Sequence, residues 1–241
     1  MYDPAFEAFR DLCRDYQGYD KMNLSCASGT GVKMLEFLHQ DLCDLVVTID
    51  TRGHYTDFNR YCNLFHLEYR DVAEASFSVQ LSKDHPLLKE ASFDFAKLKN
   101  YPYVAYTDGT DGNLNWTPWS SVVNPDKLIR VQSIASRAAL VASTNAFSLV
   151  FPHSRAYNEA NGVVTVPLPF DPLILGYIYS RDRGLGEAGE AYVRHLKERI
   201  REHFGEDGWK NRENMETDKN NAKNREKTLA FSSTICYDNY L

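Results

Sequence analysis

Along the first sixteen residues, Phe6, Phe9, Leu12, Cys13 and Tyr16 recur at three- and four-residue spacing, which predicts a helix over residues 4–16 with one apolar face. Met22–Cys26 reads as a short strand. Val32, Leu35, Leu38 and Leu42 form the apolar stripe of a second helix, capped by Ser28 or Thr30. Leu45–Ile49 (LVVTI) is a compact β-branched run of the kind found in the middle of a parallel sheet. Further strands are expected at Leu64–Tyr69, Phe77–Leu81, Tyr101–Tyr106, Leu128–Val131, Phe147–Phe151, Val163–Pro167 and Leu173–Ser180. Between them lie an Ala-rich helix around Ser133–Ala142, a short helix after Pro152 and a long amphipathic helix over Glu187–Phe204. This alternation predicts an α/β fold with open, mostly parallel sheets.

The pattern then breaks. Glu206–Lys227 is almost entirely charged or amide residues, too polar to offset its ordering entropy by burial, and reads as a linker or frayed helix. Hydrophobicity returns in Thr228–Leu241, which begins as a strand.

Composition narrows the functional classes. An apolar fraction of 43% is enough for a real core, so disorder and a disulfide-stapled mini-protein are excluded. The net charge of −6 argues against a nucleic-acid grip in this chain, because phosphate binding needs a concentrated Lys/Arg surface. No apolar stretch approaches membrane-spanning length and the start is amphipathic, so a cytoplasmic protein without membrane contact is expected. Cys13, Cys26, Cys43, Cys62 and Cys236 are scattered and lack zinc spacing, so free thiols are expected, with Cys26 and Cys236 approaching each other at the ends of neighbouring strands. There is no Gly-x-Ser-x-Gly elbow, no His-x-x-x-His and no Walker loop. The expectation is a binding protein with no enzymatic activity, cofactor or metal.

At KDHPLLK (Lys83–Lys89) the chain resembles the effector-binding domain of LysR-type transcriptional regulators, which carries such a segment where it crosses between two subdomains. LHQDLCDLVV (Leu38–Val47) is similar to the family's helix end and following strand, with Asp41 where glycine is common. VQSIASRAALVASTNAFSLVFP (Val131–Pro152) resembles the strand, helix and strand of its second subdomain. The resemblance covers residues 1–205 and implies two Rossmann-like subdomains with a cleft between them, in a type II periplasmic-binding-protein-like fold. Subdomain I would comprise 1–82, 173–205 and 228–241, subdomain II 83–172, and the polar linker 206–227. It further implies a small-molecule effector, dimerisation through the effector domains, and control of transcription through a DNA-binding domain absent from this chain. A free-standing solute-binding protein of a transport system shares the clamp architecture and is the alternative.

The family's domain opens with a central strand, a Ser/Thr loop and then helix one, whereas residue 1 here already lies inside that helix. KTLAFSSTICYDNYL read directly into MYDPAFEAFRDLC restores the family's order, so the chain reads as a circular permutation. In such folds ligands sit beyond the carboxyl ends of the strands, where helix N-termini favour small anions such as carboxylates. Three hydroxyl-rich turns are expected there: Ser232, Ser233 and Thr234; Ser28, Gly29 and Thr30; Thr107 and Asp108. Thr51, Ser133 and Asn145 are further lining candidates, and Arg137 and Arg155 candidate partners for an anion. Helix capping is the competing role for each Ser and Thr.

Overall fold

The computed structural model describes residues 3–29, 31–51, 55–106, 122–124, 126–208 and 231–238. Helix α1 (Asp3–Tyr16) leads into strand β1 (Met22–Gly29), then α2 (Gly31–His39), β2 (Leu45–Thr51), α3 (Tyr55–Leu64) and β3 (Leu67–Ala75). The middle of the chain forms β4 (Ser78–Ser82), β5 (Tyr103–Tyr106), β6 (Leu128–Val131), α4 (Ile134–Ser143), β7 (Phe147–Val150), α5 (Arg155–Asn161) and β8 (Val163–Pro167). Finally come β9 (Leu173–Ser180), α6 (Gly186–Gly208) and β10 (Phe231–Asp238). Two five-stranded sheets result, ordered β1-β10-β2-β9-β3 and β6-β5-β7-β4-β8.

Three expectations need correction. The sheets are mixed, because β9 runs antiparallel to both β2 and β3, and β4 antiparallel to both β7 and β8. Strand β4 belongs to the second sheet, so the chain crosses between sheets near residues 76–77, before the KDHPLLK segment rather than at it. Residues 55–64 form a helix that pattern reading missed, and the strand expected from Leu64 begins at Leu67.

The LVVTI run is buried on both faces, as its composition demands. Leu45, Val47 and Ile49 join the core beneath α1 and α6, whereas Val46 packs with Met34, Leu35 and Leu38 of α2. Helices α1 and α6 lie antiparallel, zipped by His195–Asp15 (2.6 Å), Arg199–Asp11 (2.6 Å) and His203–Glu7 (2.9 Å) at matching four-residue steps. The Arg199 guanidinium holds the Asp11 carboxyl below its ordinary range. These pairs fix direction. Because α1 runs through a short turn into the amino end of β1, its own start lies at the carboxyl end of that strand, and so does the end of α6.

Strand β10 lies between β1 and β2 in the first sheet. It pairs in parallel with β1, Leu24 opposite Ser233, and with β2, Val46 opposite Cys236. Cys236 stands opposite Ala27 and Cys26 opposite Ile235, one step out of phase, so the register offers no pair between these two cysteines.

Two motif residues acquire physical reasons. Asp41 adopts φ 59°, the left-handed region that favours glycine, which explains why glycine is common at that position. Arg183 closes the same turn, with Nε 3.0 Å from the Asp41 carboxylate and a guanidinium donor to the Cys43 carbonyl at 3.2 Å. In the second sheet His85 is fully buried and caps the short 3-10 turn Pro86–Lys89. Its Nδ1 accepts the Leu87 N–H at 3.2 Å, so Nε2 carries the proton and donates to the Asn145 carbonyl at 3.0 Å. The imidazole thereby ties the segment after β4 to the turn before β7.

Burial pushes the His85 pKa down, and a second proton on Nδ1 would also break the Leu87 bond. The native state therefore holds the ring neutral, so the unfolded chain binds more protons below its own pKa of about 6.5. His85→Ala is expected to cost about 3 kcal/mol in urea unfolding at pH 7.5, since it leaves two backbone groups without partners. Wild type is expected to lose stability as pH falls below about 6.5, and the variant to lose less over that window.

Candidate functional site

The carboxyl ends of β1, β10 and β2 define one end of the first sheet. Ser28 and Gly29 occupy it as the last two residues of β1, opposite Tyr237 and Asp238 of β10. Ser28 is exposed and Gly29 buried. A Cβ at Gly29 would come within 2.5 Å of the Met34 methyl group, so the strand end packs closely on α2. Thr51, the last residue of β2, lies at the same end, opposite Leu173.

Ser232, Ser233 and Thr234 do not form a turn after the strand. They are the second to fourth residues of β10, in register with Asn23, Leu24 and Ser25 toward its amino end. Tyr237 and Asp238 stand at the carboxyl end instead. The hydroxyl-rich triplet imitates a turn in composition, and the error was to end the strand there. Thr30, Thr107 and Asp108 lie outside the described residues.

In the second sheet, the carboxyl ends of β5, β6 and β7 carry Tyr106, the Val131–Ser133 segment and Phe151–His153. Ser133 is exposed and caps α4, its Oγ accepting the Ser136 N–H at 3.4 Å. Asn145 belongs to the opposite end, since it precedes β7 and its carbonyl is the acceptor for His85. The structure therefore separates Asn145 from the other candidates, and it is not retained. One turn into α4, Arg137 is buried near Tyr103, Tyr106 and Tyr157, and desolvation lowers its pKa. Burial pushes the Tyr103 phenol up to about 12. Arg155 is exposed and paired with Glu159 at 2.7 Å.

A groove of about 580 Å³ opens at this same end of the second sheet. Ser78, Pro152, His153, Asn158, Thr165 and Phe204 are among its walls. Phe204 comes from α6, and its ring meets Phe151 edge-on at 5.7 Å. The carboxyl-end regions of the two sheets thus meet there. Within the groove the Thr165 hydroxyl donates to Asn158 Oδ1 at 3.1 Å, and His153 stacks on Tyr157 with centroids 4.2 Å apart. Sequence reading missed these residues. Only the Pro152 stop after β7 marked the neighbourhood, because α5 and β8 carry no turn-like cluster of hydroxyls.

Two mixed sheets, joined by two crossings and meeting at the carboxyl ends of their parallel strands, define a two-lobed domain of the type II periplasmic-binding-protein class. The chain belongs to the LysR substrate-binding domain family, whose profile matches residues 8–201. The structure is similar to the regulatory domain of MetR, a LysR family regulator from N. meningitidis, at 13% identity and a TM-score of 0.56, covering 86% of this chain and 91% of that one. It is also similar to the effector-binding domain of QuiR in complex with shikimate (15% identity, TM-score 0.55, 82% and 90% covered). A third similar structure is a reduced form of OxyR from N. meningitidis (13%, 0.53, 82% and 88%). No curated protein matches the sequence. Among the described residues no helix is long and apolar enough to cross a membrane.

Ser133 has a measurable structural role apart from any ligand. Ser133→Ala is expected to lower stability by about 1 kcal/mol through loss of the cap, whereas Ser133→Asp keeps an acceptor there and stays near wild type. Chemical unfolding of both variants checks this.

Proposed function

We propose that this chain is the effector-sensing domain of a LysR-type regulator. It binds a small anionic metabolite, a carboxylate, between its lobes and transmits the change in lobe angle to a DNA-binding domain outside this chain. The approach of the carboxyl ends of the two sheets, marked by the contact of Phe151 with Phe204, carries the reading, because a ligand held between those ends touches elements of both lobes. Such a ligand shifts the lobe angle only through different contacts in the two arrangements. Arg137, buried beside three tyrosines near the capped start of α4, supports an anionic ligand. So does the shikimate bound by the similar QuiR domain, itself a carboxylate. Ser28, Gly29, Thr51 and Ser133 are the described candidates at the lobe ends; Ser232, Ser233 and Thr234 would act from within β10. The protein would work in the cytoplasm as a homodimer.

The chain order is part of the proposal: β10 is the family's first strand, displaced behind α6. Its carboxyl end at Asp238 and the start of α1 lie at the same end of the first sheet, so a short join would make β10, α1 and β1 one β-α-β unit. A chain with residues 228–241 placed ahead of residue 1, and 206–227 removed, should fold with the same circular-dichroism spectrum. A reordered chain that fails to fold would count against the permutation.

A thermal-shift screen of small carboxylates tests the function. A saturable rise in Tm without turnover is expected for at least one compound, reduced tenfold or more in apparent affinity by Ser133→Asp, which adds a negative charge while keeping the cap. Product formation, or binding that both Ser133→Asp and Arg137→Met leave untouched, would overturn the site.

A further inference from the structure

The 580 Å³ groove lies on a different flank of the molecule from the candidate effector residues. Ser28 and Gly29 end β1 and Ser133 follows β6, and these two strands are the edges of their sheets on one side. The opposite edges are β3 and β8. The groove belongs to that second pair: Ala75 and Ser76 lie where the chain leaves β3 for the second sheet, Pro167 closes β8 on the way back, and Phe204 arrives from α6. The two crossings are tied to each other there, the Leu168 N–H donating to the Phe77 carbonyl at 2.8 Å.

One wall of the groove is the free edge of a strand. Among the described residues β8 pairs with β4 alone. Leu168 donates to Phe77 and Gly162 accepts from Lys83, so the even-numbered residues from 162 to 168 direct their peptide groups at β4. An antiparallel ladder alternates, which turns the N–H and C=O of Val163 and Thr165 outward and puts Pro167, with no N–H, where an edge strand tolerates it. Both Val163 and Thr165 line the groove. Extended as it is, Thr165 presents one donor and one acceptor side by side, which a primary carboxamide matches with its own carbonyl and N–H. Pro167 interrupts the edge, and the volume is that of a small-molecule site, so a compact ligand fits where a second strand does not.

The remaining walls narrow the chemistry. Arg155 and Glu159 are paired with each other at 2.7 Å, so they offer an ionic ligand no net charge. Phe204 and Pro152 supply apolar surface for a flat ring. Behind Thr165, Gln80 stands opposite it on β4 and shares a face of that strand with Ser78, another residue of the groove. Gln80 is 1% exposed, and among the described residues its Nε2 has no hydrogen-bond partner. A buried donor left unmade is costly, so the depth of the groove favours an occupant that brings an acceptor. We propose that this groove is a second ligand site, separate from the cleft, for a neutral ring-bearing primary carboxamide. Its amide N–H donates to the Thr165 carbonyl, its carbonyl accepts from the Thr165 N–H, and its ring lies against Phe204 and Pro152. The inference goes beyond the effector reading and needs no carboxylate in the cleft.

Calorimetric titration of the whole chain with benzamide tests it. For so small a molecule, saturable binding with a dissociation constant of about 1 mM is the expected scale. N,N-dimethylbenzamide keeps the ring and the carbonyl but has no N–H, and is expected to bind about tenfold more weakly, as is benzamide to Phe204→Ala. Hydrogen exchange followed by NMR on the unaltered protein locates the site whether or not that variant folds. At about 10 mM benzamide the Thr165 amide should exchange about tenfold more slowly, while Ser28 and Gly29 keep their rates. Absence of saturable binding up to about 10 mM, or equal affinity for the dimethyl compound, overturns the proposal. Exchange slowed at Ser28 and Gly29 in place of Thr165 puts the molecule in the cleft, which overturns the second site and leaves the effector reading standing.

Discussion

The first lobe depends on one strand pairing. Strand β1 stands at the edge of its sheet and pairs with β10 alone, through eight consecutive register positions, while β10 pairs with β2 on its other side. Without β10, β1 would lose its whole ladder and β2 one of its two, leaving unpaired backbone groups inside the sheet. Helix α1 is separately fastened to α6 by the Arg199–Asp11 ion pair and the hydrogen bonds of His195 with Asp15 and His203 with Glu7, so the early chain is anchored twice. The first anchor is backbone and specifies register. The second is made by side chains and sets the direction of α1 and α6.

Much of this was legible because local and global demands agree. The run at Leu45–Ile49 is apolar at every position that needs burial on one face or the other, and Leu128–Val131, Val163–Pro167 and Leu173–Ser180 fall where pattern puts them. Asp41 was visible as a departure from a glycine motif, and its left-handed backbone gives the departure a meaning. The misses have physical causes too. Strand direction is not written in a strand's own residues, so the antiparallel course of β9 and β4 within sheets expected to be mostly parallel was not legible. SVQLS has the same composition in either sheet, which left β4 in the wrong lobe. In the last turn of α3, Cys62 is buried while Tyr61 and Leu64 are exposed, so its apolar periodicity is weak. Serine and threonine serve both turns and strands, and in β10 the strand prevailed.

The candidate site shows the same division. Ser28, Gly29 and Ser133 were legible as residues of a strand end or a cap, where small polar residues have a structural reason to occur. The groove residues His153, Asn158, Thr165 and Phe204 come from four different elements, α6 in one lobe and three neighbours in the other. No local spacing announces such a set. Its location follows from which ends of two sheets meet, a fact of tertiary packing. Asn145 differs: it stands at the far end of β7, where its backbone carbonyl, which any residue would supply, serves His85.

Chain order changes what the proposed site depends on. In the family's order the first strand and helix one form a continuous unit, so the strand end and the helix start are delivered together. Here Tyr237 and Asp238 arrive with the last strand, Ser28 and Gly29 with the first, and Thr51 with β2. A ligand held by all three would draw β10 into its slot, because any ligand that binds only the assembled sheet stabilises it in proportion to its occupancy. On the proposed function, sensing and the placement of β10 would be one equilibrium: an effector that sets the lobe angle would also secure the strand on which the first lobe is built.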